Sequence, residues 1–539
     1  MYIPIYHRLR LTSVFEYLAL RFNNKIRLLA VLIYSIQTLL FMSIQLYAAS
    51  LTLAKASGIP FVGTVILNGL VCVVYTFLGG MKAVVWADVL QLSLIFCGCL
   101  AIVIQGSIRL GGIGRVFEIA NEFGRIQFDE INPDPTTRHS VWGVVIGLGG
   151  YSVALHAANQ QFVQRYLALK TKKRAQGALY LSLIHSAIIL ALSTLVGVVM
   201  FATYAYCDPI KLGHVNLADQ MPAHLVMDLF GSLKGMPGLF IVTIAAAAMS
   251  TMSSGQNALA AVFLKDITKP IYEAIHKRNM TETFSTRITK CFSMVFGLAI
   301  IALAFLIELL KETVLTIGLK LISVLSGPLL GMFTLGILFP CANVWGVAAG
   351  FISSLGLLIW INAGVLIFNI RPNKLPTDIS GCGNRAYDNT TSLDHYNTTP
   401  VDYFSTTSFD YFNTADSGLL DPSLYTTHTS AVDGATVGES GIFYLYRISY
   451  VWYTLTALIV TLVVGLPVSL IAEYVTGGYE VKDETTMWSK GCCELQKQDS
   501  ESMANGSSTN VIAKTEHHQR TSDTYQIYNK GFDDECIRL

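Results

Sequence analysis

Ten runs of this chain are apolar over about 20 residues or more, long enough for each to cross a ~30 Å hydrocarbon layer as a helix. They cover roughly 27–55, 62–80, 87–110, 141–166, 176–204, 237–263, 289–311, 314–339, 345–369 and 444–472. Backbone amides in lipid must find partners within the segment, so the expected fold class is an all-α polytopic membrane protein. Composition agrees, with 52% hydrophobic and 14% charged residues in 539. A net charge of +1 gives no argument for nucleic acid or an acidic substrate. The ten cysteines have neither paired C-x-x-C spacing nor the density of a disulfide scaffold, so metal and redox chemistry find no support.

Basic residues set the expected orientation. Arg8, Arg10, Arg21, Lys25 and Arg27 precede the first run, Lys170, Lys172, Lys173 and Arg174 lie between the fourth and fifth, and Lys265, Lys269, Lys277 and Arg278 follow the sixth. All fall on one face, which is therefore read as cytoplasmic. The opposite face collects a loop over about 371–440, rich in Asp, Ser, Thr and Tyr, with glycosylation acceptors at Asn389 and Asn397. Asn279 and Asn505 also head sequons but fall on the cytoplasmic face and are expected unmodified. Cys207 and Cys382 lie in long loops on the outer face, which leaves a disulfide and two free thiols both open. The transmembrane domain is expected over 1–474 and a disordered cytoplasmic tail over 475–539. The last residues, Cys536-Ile-Arg-Leu539, offer a weak motif for a domain that docks carboxyl termini.

Several polar groups sit inside the apolar runs. In Ala245–Leu259, Ser250 and Thr251 fall at bilayer mid-depth, and the carbonyl of Ala247 points toward residues three and four further on. Three neutral oxygens on one face suit Na⁺, whereas hydroxyls bonded back to their own helix, with Ala and Gly permitting close packing, would serve structure alone. Ser253, Ser254 and Gly255 read as packing positions, and Gln256 and Asn257 as neighbours of a wet exit path. Asp88 offers a carboxylate near the cytoplasmic end of its span, or else pairs with Lys82. His156, Asn159, Gln160, Gln161 and Gln164 carry too much hydrogen-bonding capacity for lipid and point into protein or a cavity, while Arg165 reads as an interfacial anchor. Lys320 either snorkels outward or attracts an anionic substrate. Gly327-Pro328 marks an expected kink. No cluster of nucleophile, base and oxyanion donor is visible, so an enzyme is not expected.

Six segments carry a family resemblance: Leu11-Thr-Ser-Val-Phe-Glu-Tyr-Leu-Ala-Leu-Arg-Phe22, Leu78-Gly-Gly-Met-Lys-Ala-Val-Val-Trp-Ala-Asp-Val-Leu-Gln91, Asn132-Pro-Asp-Pro-Thr-Thr-Arg-His139, Asn159-Gln-Gln-Phe-Val-Gln-Arg-Tyr-Leu167, Gly327-Pro-Leu-Leu-Gly331 and Phe339-Pro-Cys-Ala-Asn343. In order and spacing the chain resembles the solute:sodium symporter family, in its branch of sodium-coupled monocarboxylate, multivitamin and iodide transporters. The resemblance implies a leucine-transporter-like inverted-repeat fold, no cofactor, Na⁺ as coupling ion, and plasma-membrane import of a small organic anion such as a monocarboxylate, biotin or pantothenate. It places sodium ligands at Ala247, Ser250 and Thr251, an exit carboxylate at Asp88, and a substrate-facing pair at Asn159 and Gln160. His156, Lys320 and Ala49 depart from the family's residues at those positions. Matching from Met1 also implies that the first core helix and most of the second are absent, and with them half of the sodium site. The chain as written is accordingly expected not to transport. A sodium-independent anion channel or uniporter using Lys320 and the amides near Asn159 is the alternative.

Overall fold

The computed structural model describes residues 1–127, 130–233, 235–308, 313–368, 370, 375–383, 441–476 and 486, all within the structural unit Met1–Trp488. Asn389, Asn397, most of the 371–440 loop, nearly all of the tail and the side chain of Lys82 lie outside the described residues. No strand occurs among the described residues.

Among the described residues, eleven helices position the polar groups of the bundle: α1 Asn24–Ser57, α2 Phe61–Gly80, α3 Val84–Arg109, α4 Gly149–Ala158, α5 Gln160–Leu167, α6 Lys172–Tyr204, α7 Met236–Val262, α8 Glu282–Ile307, α9 Val314–Leu338, α10 Val344–Ile367 and α11 Tyr453–Thr476. All but α4 and α5 belong to the nine helices, among the described residues, that are long and apolar enough to cross a membrane. Their ends follow local chemistry. The Asn23 side chain accepts from the Ile26 amide at 2.9 Å to start α1, and Gly58 ends it in the left-handed region at φ 74°. Asn343 starts α10 by accepting from the Gly346 amide at 3.1 Å. Between α2 and α3 the chain turns at Gly80, whose φ of 58° and ψ of −162° suit a residue without Cβ.

The expected continuous span over 141–166 is not continuous. A π-helical turn, Gly143–Leu148, leads into α4, and the helix then breaks at Asn159, with φ −100° and ψ 119°. The reason is local. Asn159 leaves the helical path and its side-chain oxygen accepts from the Gln161 amide at 2.9 Å, so it acts as the N-cap of α5. Conversely, α9 runs on through Pro328, where Gly327 lets the helix approach Ala457 and Thr454 of α11. Gly346 of α10 packs where a Cβ would overlap the Ser469 hydroxyl of α11, the small-residue contact expected between membrane helices.

The two ends of the bundle are fastened differently. At one end Cys207 and Cys382 form a disulfide, so the pairing left open by sequence is made. Around it the Asp208 amide donates to the Asp378 carbonyl at 3.0 Å and the Ser449 amide to the Pro135 carbonyl at 3.0 Å. At the other end, Glu16 pairs with Lys265 at 3.0 Å, and the buried Asp266 accepts from the Ser13 hydroxyl at 2.5 Å.

Both termini of α9 are charge-capped. The Val314 amide donates to the Asp219 carboxylate at 3.2 Å. Arg21, only 2% exposed, donates to the carbonyls of Gly336, Phe339, Pro340 and Ala342 at 2.9–3.1 Å. An anion at the amino end and a cation at the carboxyl end both complement the helix dipole. Arg21 thus joins two of the family-like segments, Leu11–Phe22 and Phe339–Asn343, through backbone carbonyls. Replacing it with Met would leave buried carbonyls without a donor and is expected to cost about 3 kcal/mol or more. Thermal unfolding of purified Arg21→Met against the parent checks this, with an unchanged midpoint as the contrary result.

Candidate functional site

Helix α7 carries the hydroxyl cluster. Neighbouring residues on a helix point about 100° apart, and Ser250 and Thr251 accordingly meet different partners. The Thr251 hydroxyl donates to the Ala247 carbonyl at 3.2 Å and faces a cavity of about 190 Å³. The Ser250 hydroxyl donates to the Asp88 carboxylate of α3 at 2.6 Å. The four residues named for sodium therefore form two adjoining pairs, Ala247 with Thr251 and Ser250 with Asp88.

Asp88 has a further partner. Arg165 of α5 holds its other carboxylate oxygen at 2.7 Å and also donates to the Ser254 hydroxyl. The expected interfacial anchor is therefore a bridge from the broken helix to α3 and α7. The side chains of Arg165 and Asp88 are 42% and 16% exposed. Both Asp88 carboxylate oxygens are thus engaged, one by Ser250 and the other by Arg165.

The cavity beside Thr251 is walled on one side by α1, through Gln37 and Thr38, and on another by the break itself, through Asn159 and Gln161. Tyr151 of α4 adds a hydroxyl, and Phe41, Met42, Leu155, Phe162 and Ile322 supply apolar surface. Polar groups gathered on an otherwise apolar wall suit a small solute with one charged end. Neutral oxygens near one carboxylate also suit a hard monovalent cation. Of the residues named for sodium, Thr251 lines this cavity, while Ser250 and Asp88 pair beside it on α7 and α3.

The four residues expected to line the substrate path are not together. Asn159 is on the cavity wall. Gln160 is fully buried and spent on the backbone near the chain start, accepting from the Val14 amide at 2.7 Å and donating to the Thr12 carbonyl at 3.0 Å. The His156 ring bonds the Ser152 carbonyl through Nδ1 at 2.8 Å and lines a separate pocket beside Tyr180. Lys320 lines a third cavity near Arg138 and Arg447. On the exit side, Gln256 is fully buried against Gly297 instead of facing a wet path. Gly255 does pack closely, opposite Met42 of α1. Sequence reasoning missed Gln37, Thr38 and Tyr151; the available signal was the polar Ser35-Ile-Gln-Thr38 inside an apolar run.

Comparison with known proteins extends this geometry. The family model "sodium:solute symporter family" matches residues 1–354. The human sodium-coupled monocarboxylate transporter 1 is 34% identical over 396 residues, 73% of this chain and 64% of its own length. The rabbit sodium-dependent multivitamin transporter is 32% identical, covering 89% of this chain and 69% of that relative. The human sodium/iodide cotransporter is 32% identical, covering 87% and 69%. The chain thus spans under two thirds of the length of the monocarboxylate transporter. A solved structure of a Na⁺-coupled sialic acid symporter, in a substrate-bound outward-open state, superposes with a TM-score of 0.61 at 20% identity, covering 87% of this chain and 79% of that one. That likeness shows the leucine-transporter-like fold, and the relatives named here are transporters, not enzymes. On the family match over most of its length, this multi-span membrane chain belongs to the sodium:solute symporter family.

Proposed function

We propose that this protein imports a small organic anion across the plasma membrane, driven by Na⁺. The observation that carries the reading is the shared cavity: Thr251, on the hydroxyl-bearing helix, faces the break at Asn159 across about 190 Å³. In this reading the Ala247 carbonyl and the Thr251 and Ser250 hydroxyls contribute to a sodium site, Asp88 receives the ion on its way inward, and Asn159 faces the solute. The size of the cavity favours a monocarboxylate over biotin or pantothenate, since pockets for drug-sized molecules run to roughly 300–1,000 Å³. The human sodium/iodide relative makes iodide the second reading.

The orientation follows from two independent features. Disulfides persist in oxidising compartments, so the Cys207–Cys382 end is assigned outside. The opposite end carries Lys172, Lys173 and Arg174 at the start of α6 and is assigned to the cytoplasm, with the carboxyl terminus. Each Na⁺ moving inward gains about 2.3 kcal/mol per 100 mV of membrane potential. With one Na⁺ per monoanion the cycle is electroneutral and only the Na⁺ concentration gradient drives accumulation, so the membrane potential contributes only when more than one Na⁺ moves per cycle, the stoichiometry expected here.

The test uses cells expressing the protein from its own gene, with any coding sequence upstream of Met1 retained. Uptake of labelled lactate, pantothenate or iodide is expected to collapse when external Na⁺ is replaced by choline. Persistent uptake in choline would instead indicate the sodium-independent uniporter or channel. For the site, Ser250→Ala combined with Thr251→Ala is expected to lower Na⁺-dependent uptake at least about tenfold, a loss of one strong cation ligand's worth of binding, at equal surface expression. Unchanged sodium dependence in that variant would remove both residues from the site.

A further inference from the structure

The polar groups of α1 are not all spent in the same way. The hydroxyls of Ser35, Ser43 and Thr52 return to carbonyls of their own helix, those of Val31, Leu39 and Ala48, at 2.6, 2.7 and 3.0 Å. Gln37 does not. It is only 4% exposed and lines the cavity between Thr251 and Asn159, yet its amide makes no hydrogen bond among the described residues. It lies about 20 Å along α1 from the first turn at Asn24, well inside the span.

Packing sets which way Gln37 points. Met42 of α1 lies so close to Gly255 of α7 that a Cβ there would overlap its side chain. That approach fixes the rotation of α1 and leaves Gln37 and Phe41, one turn apart, on the cavity side. Two further donors stand on the wall formed by α4 and the break. Asn159 spends its Oδ1 on the Gln161 amide, and among the described residues its Nδ2 and the Tyr151 hydroxyl make no hydrogen bond. Among the described residues no Lys, Arg, Asp or Glu lines this cavity, so the recognition its wall offers is by neutral N–H and O–H groups. A primary amide has two N–H donors, and a carboxylate is an acceptor whose charge sits on two oxygens. Bonds between them are directional and strengthened by that charge. Iodide, a large sphere with its charge spread over the surface, gains less from any one direction. Phe41, Leu155 and Phe162 take a short apolar body beside the carboxylate.

We propose that Gln37 sets the anion specificity of this cavity: its amide donates to the carboxylate of a small monocarboxylate, and the wall thereby prefers a carboxylate to a spherical anion such as iodide. Its part in transport rests on the symport reading; the binding does not. The buried amide, unmatched within the protein, is matched when the solute is present, and the choice between the two solute readings falls to the carboxylate.

Two measurements decide it, both on the protein expressed from its own gene. In the first, the purified protein is melted in NaCl with lactate and with its uncharged analogue lactamide. Lactate is expected to raise the midpoint by about 2 °C or more and lactamide not to do so, and the lactate shift is expected to vanish in Gln37→Met. Without ligand, Gln37→Met is expected to melt at or above the parent, because it removes an unmatched buried amide at nearly constant volume; a lower midpoint would show Gln37 to be a structural residue. Equal shifts with both compounds, no shift, or a lactate shift that survives in Gln37→Met would each overturn the site. In the second, uptake kinetics in cells are compared. KM for lactate is expected to rise about tenfold in Gln37→Met with kcat unchanged, and KM for iodide by less than about twofold. A parent that takes up no iodide meets the stated preference directly. Equal rises for the two anions, or an unaltered lactate KM, would remove Gln37 from anion selection. Absence of Na⁺-dependent uptake in the parent would count against the symport reading, while the melting result would still decide the carboxylate site.

Discussion

A peptide group left unpaired in hydrocarbon costs several kcal/mol, so a membrane helix can break only where protein or water receives the freed groups. That constraint organises this molecule around Asn159. The break there requires a cavity beside it, and the cavity requires polar groups from α1, α4 and α7 to furnish it. Once α5 starts anew at Asn159, its axis is free to bring Arg165 to Asp88 and Ser254. One helix interruption therefore links the solute cavity to the carboxylate assigned to sodium release.

Helix α9 provides the fixed reference against which such a pair of sites can work. Asp219 and Arg21 complement its dipole at the two ends, and most of its length is buried. Ile322 and Lys320 on this one helix line the solute cavity and the separate cavity near Arg138. The Arg165–Asp88 pair, at 2.7 Å, instead joins α5 to α3 and leaves Arg165 partly exposed.

Much of this architecture is legible in the sequence, because lipid makes span length and polarity strict. Apolar runs locate the long helices, and the two outer cysteines stand out as candidates for the bond they form. The hydroxyls of Ser250 and Thr251 and the carboxylate of Asp88 are conspicuous because polar groups in such runs are costly. Rotation is what the sequence hides. A helix that is apolar all round carries little periodic signal, so nothing indicates that Gln37 and Thr38 face Thr251, or that Gln160 turns away to hold the Thr12 and Val14 backbone. The break itself escapes because an apolar run and a run of amides add up to the length of one span; an Asn in the middle of a span, able to cap a new helix, is the local signal. Pro328 lies inside α9, which continues past it while Gly327 packs closely on α11.

The central claim is that solute and sodium meet at the cavity between Thr251 and Asn159 and move together. Simultaneous measurement of labelled Na⁺ and labelled lactate entry, under voltage clamp in cells expressing the protein from its own gene, tests it most directly. Coupled movement predicts that labelled Na⁺ entry accompanies every solute taken up, and an electrogenic cycle of more than one Na⁺ per monoanion adds net inward positive charge. Lactate entry with no accompanying Na⁺ flux, or with a current that ignores removal of lactate, would contradict it.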